Sequence, residues 1–187
     1  MTMIGHNHGP SLEPGASWRR HSWQKARAAL LPTLPVEVVR LRVRRAAEIG
    51  LDYRTYASIR AASGHDVIAL LFSTNALRML APTPSLPQER RAKLASVVAT
   101  PRMALVNAPL HPTTVRTVAE GVLDHACPAP RPFSSWSQTR AVLADALTPQ
   151  KWPSDRVVLI GDTSEEREWS LAGRLAYYLP ADRYFAA

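Results

Sequence analysis

The sequence predicts an α/β fold, a doubly wound and mainly parallel sheet with a helical N-terminal region. Three observations lead there. Short apolar runs, Val67–Phe72, Arg102–Val106 and Arg156–Ile160, recur along the chain with one helical segment between neighbours. Each run ends on a small or polar residue, at Ser73, Asn107 and Gly161. Strands that alternate with single helices pair in parallel and are covered on both faces, so they read as continuous apolar runs. No such run occurs before residue 65, where the chain is basic and helical in pattern. The expected organisation is a disordered tail over 1–16, a basic helical region over 17–64 and a Rossmann-like domain over 65–187.

Taken in order, residues 1–16 are rich in Gly, Pro, His and Asn, which favours disorder. Ser17–Leu31 reads as a helix stopped by Pro32. Pro35 suits the first turn of a second helix, Val36–Ile49, closed by Gly50. On a helical wheel Val36, Val39, Val43, Ala46 and Ala47 share one face, which is expected to be buried. Asp52 caps a third helix, Tyr53–Ser63, that ends at Gly64. After the first apolar run, the three prolines of Ala81–Pro87 make a loop. Helices are expected over Gln88–Ala99, Thr113–Ala126, Ser137–Leu147 and Ser164–Gly173, and a last strand over Leu175–Leu179. About four or five strands result.

Composition limits the function classes. The chain has 187 residues, 46% hydrophobic, and a net charge of +8. No apolar run approaches the ~20 residues of a membrane helix, and no secretory signal opens the chain, so no membrane association and a cytoplasmic location are expected. Cys127 is the only cysteine, which fits a reducing compartment and excludes an internal disulfide. It is read as a small buried residue just past a helix end. Arginines outnumber lysines twenty to three. Residues 1–61 hold ten basic against four acidic side chains, whereas 62–187 hold thirteen against eleven. The charge that would attract a polyanion is therefore concentrated in the N-terminal third.

The sharpest local pattern is Val157-Val-Leu-Ile-Gly161-Asp162-Thr163, an apolar strand that runs into Gly-Asp with a helix after it. Ligands of parallel sheets bind outside the carboxyl ends of strands. A carboxylate there can hold Mg²⁺ near a phosphate, and Asp162 is the candidate metal ligand. Equally, Asp162 or Thr163 can cap the helix that follows. This stretch resembles the fourth motif of the haloacid dehalogenase-like hydrolase superfamily, through Gly161-Asp162, Glu165 or Glu166, and Ala172-Gly173. Leu71-Phe-Ser73-Thr74-Asn75-Ala76 is similar to the family's second motif, a strand ending in a phosphate-binding hydroxyl. Arg131-Pro132 stands where the family's charge-offsetting lysine is expected. The resemblance covers residues 66–180. It implies a phosphate-like pocket of Ser73, Thr74, Asn75, Arg131, Asp162 and Thr163. The family's nucleophile is the first Asp of an Asp-x-Asp motif, and this chain contains no Asp-x-Asp. A carboxylate nucleophile has no substitute here, so no catalytic residue is assigned.

Ala46, Gly50, Tyr56 and Ile59 resemble the spacing of a helix-turn-helix. That resemblance implies a nucleic-acid surface of Arg44, Arg45, Tyr53, Arg54 and Thr55, with Ser58 beside it. The other reading is a helical hairpin packed on the sheet, with Glu37 and Glu48 diluting the arginines. Trp18, Trp23 and the cations between them either stack on bases or anchor a helix. The histidines lack metal-ligand spacing. The leading expectation is a non-catalytic binding or adaptor protein with a protein partner, built on a degenerate hydrolase-like domain. The alternatives are a nucleic-acid-binding regulator and an atypical phosphate-handling hydrolase. No cofactor is assigned beyond a possible Mg²⁺.

Overall fold

A computed structural model describes residues 34–186. The expected tail, the helix Ser17–Leu31, its two tryptophans and the histidines His6 and His8 lie outside the described residues. Helices α1 (Val36–Glu48) and α2 (Tyr53–Ser63) come first. Then follow β1 (Ala69–Ser73), α3 (Gln88–Ala95), β2 (Arg102–Val106), α4 (Pro112–Val118) and β3 (His125–Pro128). The chain continues through α5 (Trp136–Leu147), β4 (Val157–Gly161), α6 (Ser164–Ala172), β5 (Tyr177–Pro180) and α7 (Ala181–Phe185).

The strands form one sheet in the order β3-β2-β1-β4-β5, and all neighbours are parallel. Every residue of β1 and β4 is buried, as central strands covered on both faces require. Alternate side chains divide between two cores, since strand residues point to opposite faces in turn. Leu70, Phe72, Ala104, Val106, Val158 and Ile160 meet residues of α1, α2, α3, α4 and α7. Ala69, Leu71, Met103, Leu105, Val157 and Leu159 meet residues of α5 and α6. The fold is therefore α/β and doubly wound, as the apolar runs predict. Among the described residues no helix is long and apolar enough to cross a membrane.

The α1–α2 hairpin joins the first of these cores. Tyr56 and Ile59 are buried there with Ala46 and Ile49. Asp52 caps α2 by accepting from the Thr55 N–H at 2.9 Å. Gly64 ends α2 in the left-handed region, at φ 76°, a conformation glycine adopts without strain.

Three expectations are corrected. The helix expected over Thr113–Ala126 stops at Val118, and His125–Pro128 is the edge strand β3. Cys127 thus lies in a strand, half-buried, and burial pushes its thiol pKa up. The helix expected to Ala99 ends at Ala95. On α1, Val36 and Val43 are 64% and 46% exposed and Ala47 is exposed, so only Ala46 of that helix is buried. The buried contribution comes instead from Ala46 and the residues at the turn, Ile49 and Leu51.

Candidate functional site

In this strand order the chain leaves β1 toward β2 and returns beyond it at β4. The carboxyl ends of β1 and β4 therefore flank the switch point, where α/β sheets open a crevice. Ser73, Asn107 and Gly161 follow parallel neighbours β1, β2 and β4 and share this edge. The hydroxyl-bearing residues after β1 turn inward. Ser73 is fully buried and its Oγ accepts from the Ala76 N–H at 3.0 Å. Thr74 is buried too, and its Oγ1 accepts from the Asn107 N–H at 3.1 Å. Both oxygens serve loop backbone.

Glu166 is the centre of the crevice. It sits at the third position of α6 with only 1% exposure. Its Oε2 accepts from the N–H groups of Asp162 at 2.6 Å and Thr163 at 3.1 Å. Its Oε1 accepts from Asn75 Nδ2 at 2.9 Å. Thr163 completes a capping box by accepting from the Glu166 N–H at 3.2 Å. The carboxylate fills the position that amides at a strand-to-helix junction otherwise offer to an anion. Gly161 admits it. A Cβ on Gly161 would stand 2.6 Å from Tyr178 Cε2 and 2.9 Å from Glu166 Oε2.

Beside this crevice lies an open cleft of about 860 Å³, lined by Asn75, Asn107, His111, Arg131, Thr163 and Trp169 among others. Its lining is drawn from the carboxyl ends of β1–β4 and the helices that follow them. His111 caps α4 through Nδ1, which lies 2.7 Å from Thr113 Oγ1. That leaves its Nε2 edge to serve a ligand. Arg131 follows β3 and is exposed.

The expected phosphate-like set is therefore split. Asn75, Arg131 and Thr163 line the cleft, Ser73 and Thr74 are buried beneath it, and Asp162 is exposed at the end of β4. Among the described residues no three His, Cys, Asp or Glu side chains are grouped to hold a metal, so Asp162 stands outside any such cluster. Behind the crevice Arg90 is 5% exposed and donates to the Ala76 carbonyl. Burial holds its pKa below the usual arginine range, Arg78 adds to this, and Asp162 opposes it. Asn107, His111 and Trp169 were not foreseen as cleft residues. The strand end at Asn107 and the Pro112 after His111 were the available signals.

The expected nucleic-acid surface is divided as well. Thr55 is 1% exposed and receives a 2.9 Å hydrogen bond from Arg183 Nη2, so it is no groove contact. Arg45 is held by Glu48 at 3.2 Å, Asp66 at 3.4 Å and the Val67 carbonyl at 3.0 Å. Arg44 and Arg54 are exposed and Tyr53 is half-buried. Comparison of the chain with protein-family models, curated proteins and solved structures finds no match in any of the three.

Proposed function

We propose that this chain is a non-catalytic binding or adaptor protein whose ligand sits in the cleft at the carboxyl edge of the sheet. The observation that carries this reading is the Glu166 carboxylate on the Asp162 and Thr163 amides. An incoming phosphate would have to displace a buried carboxylate or share its seat, and two like charges there are costly. The strand that ends at Ser73 offers hydroxyls already accepting from backbone amides, and no carboxylate nucleophile. What remains for a ligand is the amide side chains of Asn75 and Asn107, the His111 ring edge, the Arg131 guanidinium and the Trp169 ring. Such a set orients a small polar molecule with an anionic group toward Arg131.

Two measurements test the reading. Incubation with a generic phosphate ester and Mg²⁺ is expected to give no turnover above the blank. Multiple turnovers abolished by Asp162→Asn would overturn the non-catalytic assignment. A thermal-shift survey of small anions, neutral polar molecules and cations is expected to find stabilising anions whose effect disappears in Arg131→Ala. Stabilisers indifferent to Arg131 would remove the cleft from the proposal.

A further inference from the structure

We infer that a slot beside the cleft binds the cationic head of an arginine or lysine on a partner polypeptide. The slot holds about 300 Å³ between the loop before α5, the start of α5 and one side of α6. Phe133, Trp136 and Trp169 line it, together with Glu165, Glu168 and Arg131. Aromatic faces attract guanidinium and ammonium groups through their negative quadrupole. Two carboxylates against one guanidinium leave the slot with a charge of −1. Neither Glu165 nor Glu168 has a hydrogen-bond or ion-pair partner among the described residues. Two acids placed beside three aromatics on a chain of net charge +8 are complementary to a cation.

The two helix starts bordering the slot do not reverse this preference. At α5 the Ser135 Oγ accepts from the Gln138 N–H at 3.3 Å and Gln138 Oε1 accepts from the Ser135 N–H at 2.9 Å. At α6 the Glu166 carboxylate holds the free amides and offsets the positive helix end. An anion would find those donors spent and would face Glu165 and Glu168.

The occupant is a polypeptide because the apolar lining extends past the slot. Phe133 is 103% exposed on a left-handed backbone, φ 62°, and Trp136 is 52% exposed. A small ion in the slot would leave both rings in water. A chain that delivers its cation to Glu165 and Glu168 covers them. This inference is independent of what the larger cleft binds.

The test is a titration of the full chain followed by tryptophan fluorescence, since Trp136 and Trp169 both line the slot. The probes are a short capped peptide with one arginine among glycines, its citrulline twin and methylguanidinium. The arginine peptide is expected to saturate and to weaken as salt is added. The citrulline peptide and the Glu165→Gln/Glu168→Gln variant are each expected to bind about tenfold or more weakly. Phe133→Ala is expected to weaken the peptide and spare methylguanidinium. Equal binding of the citrulline peptide, or unchanged affinity in the glutamine variant, overturns the cation site. Methylguanidinium as tight as the peptide overturns the polypeptide assignment in favour of a small cation. Self-association lost in the glutamine variant overturns it in favour of a second copy of this chain. All three substituted residues are exposed, and circular dichroism of each variant checks that it folds.

Discussion

Asn75 Nδ2 donates to Glu166 Oε1 across 2.9 Å, joining residues 91 positions apart in sequence. The bond spans the crevice between β1 and β4 and ties the loop after one central strand to the first turn of α6.

Replacing Glu166 is expected to destabilise the fold. Glu166→Ala leaves the Asn75 amide and the Asp162 and Thr163 N–H groups without their acceptor. Orphaned donors at a buried site and a lost capping interaction together cost about 2–4 kcal/mol. Glu166→Gln keeps an acceptor for Asn75 and turns an NH₂ onto the two backbone amides, so it is expected to cost less than alanine but more than nothing. Urea unfolding monitored by circular dichroism measures both. A midpoint unchanged in Glu166→Ala would contradict the role given to this carboxylate.

Gly161→Ala addresses the same crevice from the other side. The added Cβ meets the Tyr178 ring edge at 2.6 Å and Glu166 Oε2 at 2.9 Å. Overpacking of this kind costs about 1–3 kcal/mol. Tyr178→Ala in the same chain removes one of the two obstacles. The double variant is therefore expected to be more stable than the sum of the single changes, as a double-mutant cycle would measure. Strict additivity would show that the helix shifts as a whole instead.

These two residues mark the limit of what sequence reveals. Strands β1, β2 and β4 were legible because central parallel strands must be apolar throughout. Their shared carboxyl edge followed from the parallel pairing. The edge strand β3 was not legible. His125-Ala-Cys-Pro128 has no β-branched residue and is only half-buried, so it read as the tail of a helix despite Gly121 at φ 80°. The face of α1 was misjudged because periodicity gives a stripe without saying how much of it meets a partner. In the site, Gly161-Asp162 and Ser73-Thr74 announced a strand end and a turn. Whether Glu165 or Glu166 turned inward depends on the approach that Gly161 permits, which spacing does not encode. The slot at Phe133 and Trp136 brings together the β3–α5 loop and α6, distant in sequence and without a joint motif.

The α2 cap yields an acid-dependent prediction. Asp52 accepts from both the hydroxyl and the N–H of Thr55. The Thr55 hydroxyl bond, then its N–H, holds the Asp52 carboxyl below its ordinary pKa. A depressed folded value means the stabilisation is present above the unfolded pKa, ~3.9, and is lost as pH falls through the folded one. Asp52→Ala is expected to cost about 1 kcal/mol at neutral pH. The gap to the unsubstituted protein should close on acidification below ~4. Urea midpoints at several pH values measure it, and a gap constant with pH would mean that packing, not the charged cap, carries the difference.

At the alkaline end the opposite sign applies, and Tyr184 is the main actor. It is fully buried on α7 and its ring meets Phe72 edge-on at 5.5 Å and Phe185 at 5.0 Å. Its hydroxyl donates to the Ile49 carbonyl at 3.3 Å, joining α7 to the α1–α2 turn. Burial pushes its phenol pKa well above the ordinary tyrosine value. Burial raises Tyr56 and Tyr178 in the same direction. For an acid whose folded pKa is raised, the unfolded chain releases its proton first. Stability is then complete below ~10 and declines as pH rises beyond it, by at most ~1.4 kcal/mol per pH unit for each group. Tyr184→Phe removes one such group together with one hydrogen bond. The variant is expected to be about 1 kcal/mol less stable at neutral pH, through the lost bond to Ile49. It should also lose stability less steeply above pH ~10, where the wild-type phenol must stay neutral to remain folded. The two curves should therefore converge with rising pH. Urea unfolding over the alkaline range measures the slopes, and parallel curves would show that Tyr184 ionises no differently in the folded and unfolded chain.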